Sequence, residues 1–166
     1  MCNGHYSLTK RFTALCHLIL GLGLSLAPIG AYIAVTGKFA IEPIIYSFIT
    51  LTWVSGFDII YALQDDEFDR STNLYSIPAI VGKKNALMIS TGLHLITFCL
   101  VIASGVICQS GVIYWIGASI FSGLLLYQHL IVKPNDLSKV NLAFGTTNGL
   151  ASILFAVFAI CDIIFF

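Results

Sequence analysis

Five stretches of the chain are long enough and apolar enough to cross a lipid bilayer: about Phe12–Thr36, Pro43–Leu63, Ala86–Cys108, Val112–Val132 and Leu142–Phe166. A crossing of the hydrocarbon core takes roughly 20 predominantly apolar residues. Inside lipid every backbone amide and carbonyl must find its partner within the protein, which leaves helices or a closed barrel. A barrel strand would alternate polar and apolar positions, and these runs do not. The expected fold is therefore all-α, a polytopic transmembrane helix bundle of five spans forming a single domain over residues 1–166. Composition agrees. Hydrophobic residues make up 58% of the chain, charged residues 10%, and mean hydropathy is +0.93. A soluble domain carries roughly 25% charged residues.

Connector charges predict an orientation. Numbered by alternation, the side of the N-terminus receives Lys10, Arg11, Arg70, Lys83, Lys84, Lys133 and Lys139, and the other side only Lys38. Cytoplasmic loops are enriched in Lys and Arg, so the N-terminus is expected in the cytoplasm and the C-terminus outside. The acidic residues Asp65, Asp66, Glu67, Asp69 and Asp136 fall on the same cytoplasmic side. Net charge is zero and no basic stripe occurs, which argues against a nucleic-acid partner. The polar start Met1–His5 and the length of the first apolar run read as a span and not as a cleavable signal peptide.

The stretch Asp58-Ile-Ile-Tyr-Ala-Leu-Gln-Asp65-Asp66-Glu67-Phe68-Asp69 carries the chemistry. An ionised carboxylate within a span is costly and marks function by default. Asp58, Asp65 and Asp69 stand at i, i+7 and i+11, which on one continuous helix places them within roughly 40° of one another. Three hard oxygen donors on one face suit Mg²⁺, which binds through one or two carboxylates plus substrate phosphates. A solvated acidic loop is the plainer alternative, but it leaves Asp58 unexplained. Lys10-Arg11 read equally well as a positive-inside anchor or as a clamp on a diphosphate; Lys83-Lys84, after Gly82, read as an anchor opening the third helix.

Other residues point to packing. Gly21, Gly23, Ser25 and Gly30, then Gly117, Ser119, Ser122 and Gly123, then Gly145 and Gly149 would let helices approach closely, with a small-residue tunnel wall as the alternative. The five cysteines lack metal spacing and four lie in apolar runs, so inert buried thiols are expected. His5, His17, His94 and His129 lack metal spacing too, and interhelical hydrogen bonds are expected of His94 and His129. No P-loop, Gly-x-Ser-x-Gly, HExxH or EF-hand occurs.

Three stretches have a familiar pattern. Tyr6-Ser-Leu-Thr-Lys10-Arg11 resembles a Tyr-x-x-x-Lys motif, Phe57–Asp69 resembles a DxxxD-type second aspartate-rich motif, and Leu74–Lys83 resembles the segment that follows it. Together they resemble the UbiA superfamily of intramembrane aromatic prenyltransferases. The tail Tyr127–Asn141 is similar to the 4-hydroxybenzoate polyprenyltransferase-like branch that includes the menaquinone enzyme of the futalosine route. The resemblance implies a nine-helix bundle in the membrane, of which this chain would supply the last five helices, with a central cavity facing the cytoplasm of a bacterial inner membrane. It implies transfer of a polyprenyl group from polyprenyl diphosphate to an aromatic acid, 4-hydroxybenzoate-like or naphthoate-like, in ubiquinone or menaquinone biosynthesis. By resemblance, Asp65 and Asp69 would hold Mg²⁺, with Asp58 a further ligand or an orienting base. Lys10 and Arg11 would hold the diphosphate as charge builds on it, Tyr6 would add a hydrogen bond, and Tyr61 would contact substrate. The family's first aspartate-rich motif, of NDxxDxxxD type, belongs to an N-terminal half that this sequence lacks, so activity is expected to need that half. A catalytically silent membrane fragment and a small cation transporter using the Asp58/Asp65/Asp69 face are the alternatives.

Overall fold

The computed structural model describes residues 10–165, and within them six helices carry the fold: α1 Cys16–Thr36, α2 Ile41–Ala62, α3 Asp66–Ser71, α4 Ile77–Ile107, α5 Val112–Ile131 and α6 Leu142–Phe165. Four of these, α1, α2, α4 and α6, are long and apolar enough to cross a membrane. The remaining expected span is present as α5, a helix of 20 residues, but its last turns carry Tyr127, Gln128 and His129 and are less apolar.

Boundaries differ from the sequence expectation where local chemistry intervenes. The first helix begins at Cys16 and not at Phe12, because residues 10–15 form turns. The fourth helix begins nine residues earlier than the apolar run. Ser76 caps it, its hydroxyl accepting from the Ala79 amide at 3.3 Å, and Pro78 occupies its first turn, where no amide hydrogen is needed. Gly82 (φ 82°, ψ 159°) then breaks the helix before Lys83 and Lys84, a backbone conformation that favours glycine. The first turn of α6, Leu142–Thr147, is π-wound, and Thr147 Oγ1 donates to the Leu142 carbonyl at 3.0 Å. Such widened turns re-aim the side chains that follow.

Helix α1 lies along α2, α2 along α4, and α5 along α6, whereas α4 and α5 touch sparingly. At Gly21 of α1 a Cβ would collide with Ser55 and the Leu51 carbonyl of α2, so glycine is what permits that approach. One apolar cluster, around Ile49, Val101, Tyr114, Phe121 and Ala151, joins α2, α4, α5 and α6. A second, around Ile59, Ile60, Leu63, Ile77, Val132 and Val140, lies under the connectors that carry the acidic residues. Large apolar side chains remain exposed along the bundle, among them Leu22 and Leu26 of α1, Leu95 of α4, Leu126 of α5 and Ile153 and Ile163 of α6. Water would penalise such a surface; acyl chains solvate it, as expected of an integral membrane protein.

The cysteine expectation needs correction. Cys16, Cys99, Cys108 and Cys161 are free thiols, but only Cys16 is buried; Cys99 and Cys108 are exposed on the outer surface of the bundle. Apolar runs in a membrane protein place half their residues against lipid, so an apolar neighbourhood in sequence does not mean a protein interior.

Candidate functional site

The acidic stretch does not continue α2. That helix ends at Ala62, residues 63–65 close tight turns onto Ile60, Tyr61 and Ala62, and α3 restarts at Asp66. The single helical face predicted for Asp58, Asp65 and Asp69 is therefore divided in two, because the i, i+7, i+11 relation holds only along an unbroken helix.

Asp65 and Asp69 gather on one side of the break, around Lys10. Lys10 Nζ lies 3.0 and 3.3 Å from the two oxygens of Asp69 and 3.7 Å from Asp65 Oδ2. Asp69 is 1% exposed and Lys10 7%, while the Asp65 side chain is about half exposed. The backbone fixes this arrangement. The Tyr75 amide donates to the Lys10 carbonyl at 2.6 Å, and the Leu74 amide donates to the Asp69 carbonyl at 2.8 Å. Asn73 takes the left-handed conformation (φ 54°) that closes helix C-termini. Asp66, also acidic, is held elsewhere: Arg70 Nε donates to it at 2.8 Å and the same guanidinium reaches the Pro78 carbonyl.

Asp58 lies on the other side of the break, buried in α2. His17 Nδ1 is 2.6 Å from Asp58 Oδ2. The Ile77 amide donates to His17 Nε2 at 3.4 Å, and Ser55 Oγ donates to the His17 carbonyl at 3.2 Å. With Nε2 facing that amide, Nδ1 is the ring atom that donates to Asp58. A hydrogen bond of this kind to a buried carboxylate contributes about 1.5–3 kcal/mol. The sequence expectation did not single out His17. The signal was there: a second ionisable residue inside an apolar span, as unusual as Asp58 itself.

The other expected site residues divide. Arg11 is exposed and makes no ion pair among the described residues. Tyr6 lies outside the described residues. Tyr61 stands against Phe144, ring centroids 4.2 Å apart. Phe144, set by the π-wound turn, also meets Phe57 edge-on at 5.5 Å, and Phe57 meets Trp53 at 5.5 Å. Trp53, Phe57 and Tyr61 thus form an aromatic stripe at i, i+4, i+8 along α2.

Among the described residues no group of three or more His, Cys, Asp or Glu comes together as a metal cage. Asp58, bonded to His17, belongs to no such group among the described residues. The donor set that does converge is a pair of carboxylates turned toward one positive charge, the Lys10 ammonium. Two hard oxygen donors fit Mg²⁺, whose remaining positions are ordinarily filled by water and phosphate oxygens.

Membrane-spanning helices, a cation shared by two carboxylates at the end of a span, and a buried carboxylate held by histidine define a class: a helical membrane protein with a charged site at the edge of the bilayer. The chain belongs to the UbiA prenyltransferase family, whose model matches residues 2–159. It is 28% identical over 159 residues to a 4-hydroxybenzoate octaprenyltransferase of Francisella tularensis subsp. tularensis (strain WY96-3418), covering 96% of this chain and 55% of that protein. It is 28% identical over 151 residues to the protein of the same name from Tolumonas auensis, covering 91% of this chain and 52% of that one. The fold superposes with a TM-score of 0.82 on the apo structure of a UbiA homolog from Aeropyrum pernix K1, at 30% identity, covering 95% of this chain and 59% of that one. The chain spans about half the length of the curated relatives it matches.

Proposed function

We propose that this chain forms the diphosphate-activating part of an aromatic prenyltransferase, which moves a polyprenyl group from polyprenyl diphosphate to an aromatic acid such as 4-hydroxybenzoate or a naphthoate in quinone biosynthesis. The observation that carries the reading is the sharing of buried Lys10 between Asp69 and Asp65. Such a cluster can exchange partners. A diphosphate arriving with Mg²⁺ offers Lys10 a stronger counter-charge and offers the two carboxylates a divalent cation. Mg²⁺ would supply charge stabilisation for the departing diphosphate. Asp65 and Asp69 would hold the ion, Lys10 would turn to the diphosphate oxygens, exposed Arg11 would add a second positive charge, and Tyr6 would add a hydrogen bond.

Heterolysis of the allylic C–O bond leaves the electron pair on the diphosphate and positive charge on the prenyl group. The aromatic stripe Trp53, Phe57 and Tyr61 offers ring faces to that charge, which is attracted to π-density. The acceptor ring carbon forms the new C–C bond and then loses its proton, and Asp58, held in place by the hydrogen bond from His17, is the base suited to take it. The site would face the cytoplasm of a bacterial inner membrane, in keeping with the distribution of Lys and Arg. The reading includes a requirement for the portion of the bundle that relatives carry in their other half.

The test uses membranes bearing this chain, with and without a co-expressed N-terminal half from a relative, supplied with Mg²⁺, labelled polyprenyl diphosphate and 4-hydroxybenzoate or 1,4-dihydroxy-2-naphthoate. Labelled product is expected when both halves are present and is expected to vanish in Asp65→Ala and Asp69→Ala. Undiminished product in both variants would remove the assignment of these carboxylates.

A further inference from the structure

A cleft of about 350 Å³ lies between α4 and α5, where these helices part. Its walls are apolar, chiefly Phe98, Leu95 and Leu126, and the last two are exposed at its mouth, so it opens to the apolar surroundings of the bundle. Ser122 and Gly123, expected to serve helix packing, line it instead. A Cβ on Gly123 would meet nothing within 4 Å, so the space before it is open. Beyond Phe98 the two helices meet again, where the Tyr114 hydroxyl lies 2.6 Å from Ser104 Oγ and donates to the Val101 carbonyl at 2.7 Å.

The polar groups in the wall are satisfied by the protein itself. His94 Nδ1 is 2.8 Å from His129 Nε2, the interhelical hydrogen bond expected of this pair. His94 Nε2 is 3.3 Å from the Trp53 carbonyl, and His129 Nδ1 is 3.3 Å from Thr91 Oγ1. The Thr91 and Ser122 hydroxyls donate to the carbonyls one turn back, Leu87 and Ala118, at 2.8 and 2.7 Å. Among the described residues no carboxylate or ammonium lines the cleft. A polar group entering it would leave water for walls that return no hydrogen bond, so the part of a ligand that lies inside is hydrocarbon.

Charge gathers at one end only. Lys84, Met88, Thr91, Leu95 and Phe98 stand at i, i+4, i+7, i+11 and i+14, which is one face of α4. Lys84 thus lies two turns, about 10 Å, beyond the Thr91 end of the cleft and on the cleft's own face. The break at Gly82 comes before it, so this register is uninterrupted. Lys133 follows the end of α5, four residues past His129. Val132, Leu137 and Val140 pack in one apolar cluster with Ala86 and Leu87, which brings the connector bearing exposed Lys133 against the start of α4. The carboxylate of that connector, Asp136, is engaged by Ser138 of its own turn.

We infer that the cleft holds an acyl chain of an anionic phospholipid, phosphatidylglycerol, whose phosphodiester lies against Lys84 and Lys133. The walls accept hydrocarbon and nothing else, and the lysines require that the hydrocarbon end in negative charge. A zwitterionic lipid would bring an ammonium of its own to the same two lysines. Basic residues at a membrane surface attract anionic headgroups, and long lysine side chains reach the headgroup level from within a span. The inference does not rest on the function proposed for the Asp65–Asp69 cluster, and the lipid is neither consumed nor formed.

The full chain is purified in detergent with equimolar phosphatidylglycerol and phosphatidylcholine, and retained lipid is read by native mass spectrometry. One phosphatidylglycerol per chain is expected, preferred about tenfold or more. Lys84→Ser combined with Lys133→Ser should lower that preference about tenfold, toward parity. Gly123→Leu fills the cleft from a position where a side chain meets no neighbour. It should abolish retention while leaving helix content and resistance to unfolding in phosphatidylcholine unchanged. Geranylgeranyl diphosphate added in excess should not displace the lipid. Equal retention of the two lipids by the unaltered chain, phosphatidylglycerol retention that survives either change, or one-for-one displacement by the diphosphate would overturn the inference.

Discussion

Two buried carboxylates at opposite regions of the chain have opposite fates. Asp162, in α6, accepts from the amides of Gly111 and Tyr114 at 2.8 and 3.0 Å and so caps the start of α5. Asp69, in α3, is just as buried but is neutralised by the Lys10 side chain. Backbone donors at a helix start are fixed by the helix itself, and a carboxylate that they hold is structural. A lysine side chain rotates, so a carboxylate that it holds can be released to another cation. Burial alone thus does not mark a working acid; what marks it is a partner that can leave.

The largest effect that would break this comparison is expected at Asp69. Asp69→Ala should lower prenyl transfer by about 100-fold or more, the scale seen when a preorganised electrostatic contact is removed from an active site. It also strands the Lys10 ammonium, and breaking a buried pair costs about 3–5 kcal/mol. Asp69→Asn, which retains an acceptor for Lys10, separates the two losses: transfer stays low while resistance to unfolding in detergent is largely restored. Parallel recovery of both would mean that Asp69 is as structural as Asp162.

His17 comes next. His17→Leu removes the hydrogen bond to Asp58 and should reduce kcat about tenfold, less than the roughly 100-fold or more that a positioned base itself supplies, with little change in KM for the diphosphate. His17→Gln, which can still donate to Asp58, should recover most of it. Equal kcat for the two variants would show that the histidine serves packing alone. Asp162→Ala is the converse. It leaves two amides without their acceptor and should destabilise the chain by about 2 kcal/mol in a detergent unfolding titration. KM and kcat should be unchanged; a drop in kcat at equal stability would overturn the distinction.

What was legible in the sequence follows the same division. Helices longer than a bilayer were readable because lipid allows the backbone few solutions. The importance of Asp58, Asp65 and Asp69 was readable because charge is rare in such a chain. The break at Ala62 was not, since residues 63–65 carry no proline or glycine and the turn is imposed by packing of Leu63 beneath the connector. The separation of Asp58 from the other two followed from missing that turn. His17 is not legible from histidine spacing, because its partner is a carboxylate 41 residues away and not another histidine. The α4–α5 cleft could not be read at all: Ser122 and Gly123 look the same whether a helix lies against them or a void does.

The smallest expected effect concerns an acid outside both regions. Asp136, in the connector 132–141, accepts from the hydroxyl and the amide of Ser138 at 2.6 and 3.1 Å. The Ser138 hydroxyl first, then its amide, then Lys139 and Lys133, hold its carboxyl below the usual carboxylate value. A carboxyl with a depressed folded-state value stabilises the fold above its unfolded value, near pH 4, and loses that contribution as pH falls through the folded value. Asp136 is fully exposed, so the contribution is small and sensitive to salt. Ser138→Ala removes the leading cause and should move the Asp136 titration upward toward the ordinary carboxylate range, as followed by carboxyl ¹³C resonances between pH 2 and about 6. Transfer activity should not change, because Asp136 holds no cation that a substrate could displace; a transfer defect in Ser138→Ala would extend the working site to a carboxylate whose partners are fixed by its own loop, and would undo the rule drawn from Asp162 and Asp69.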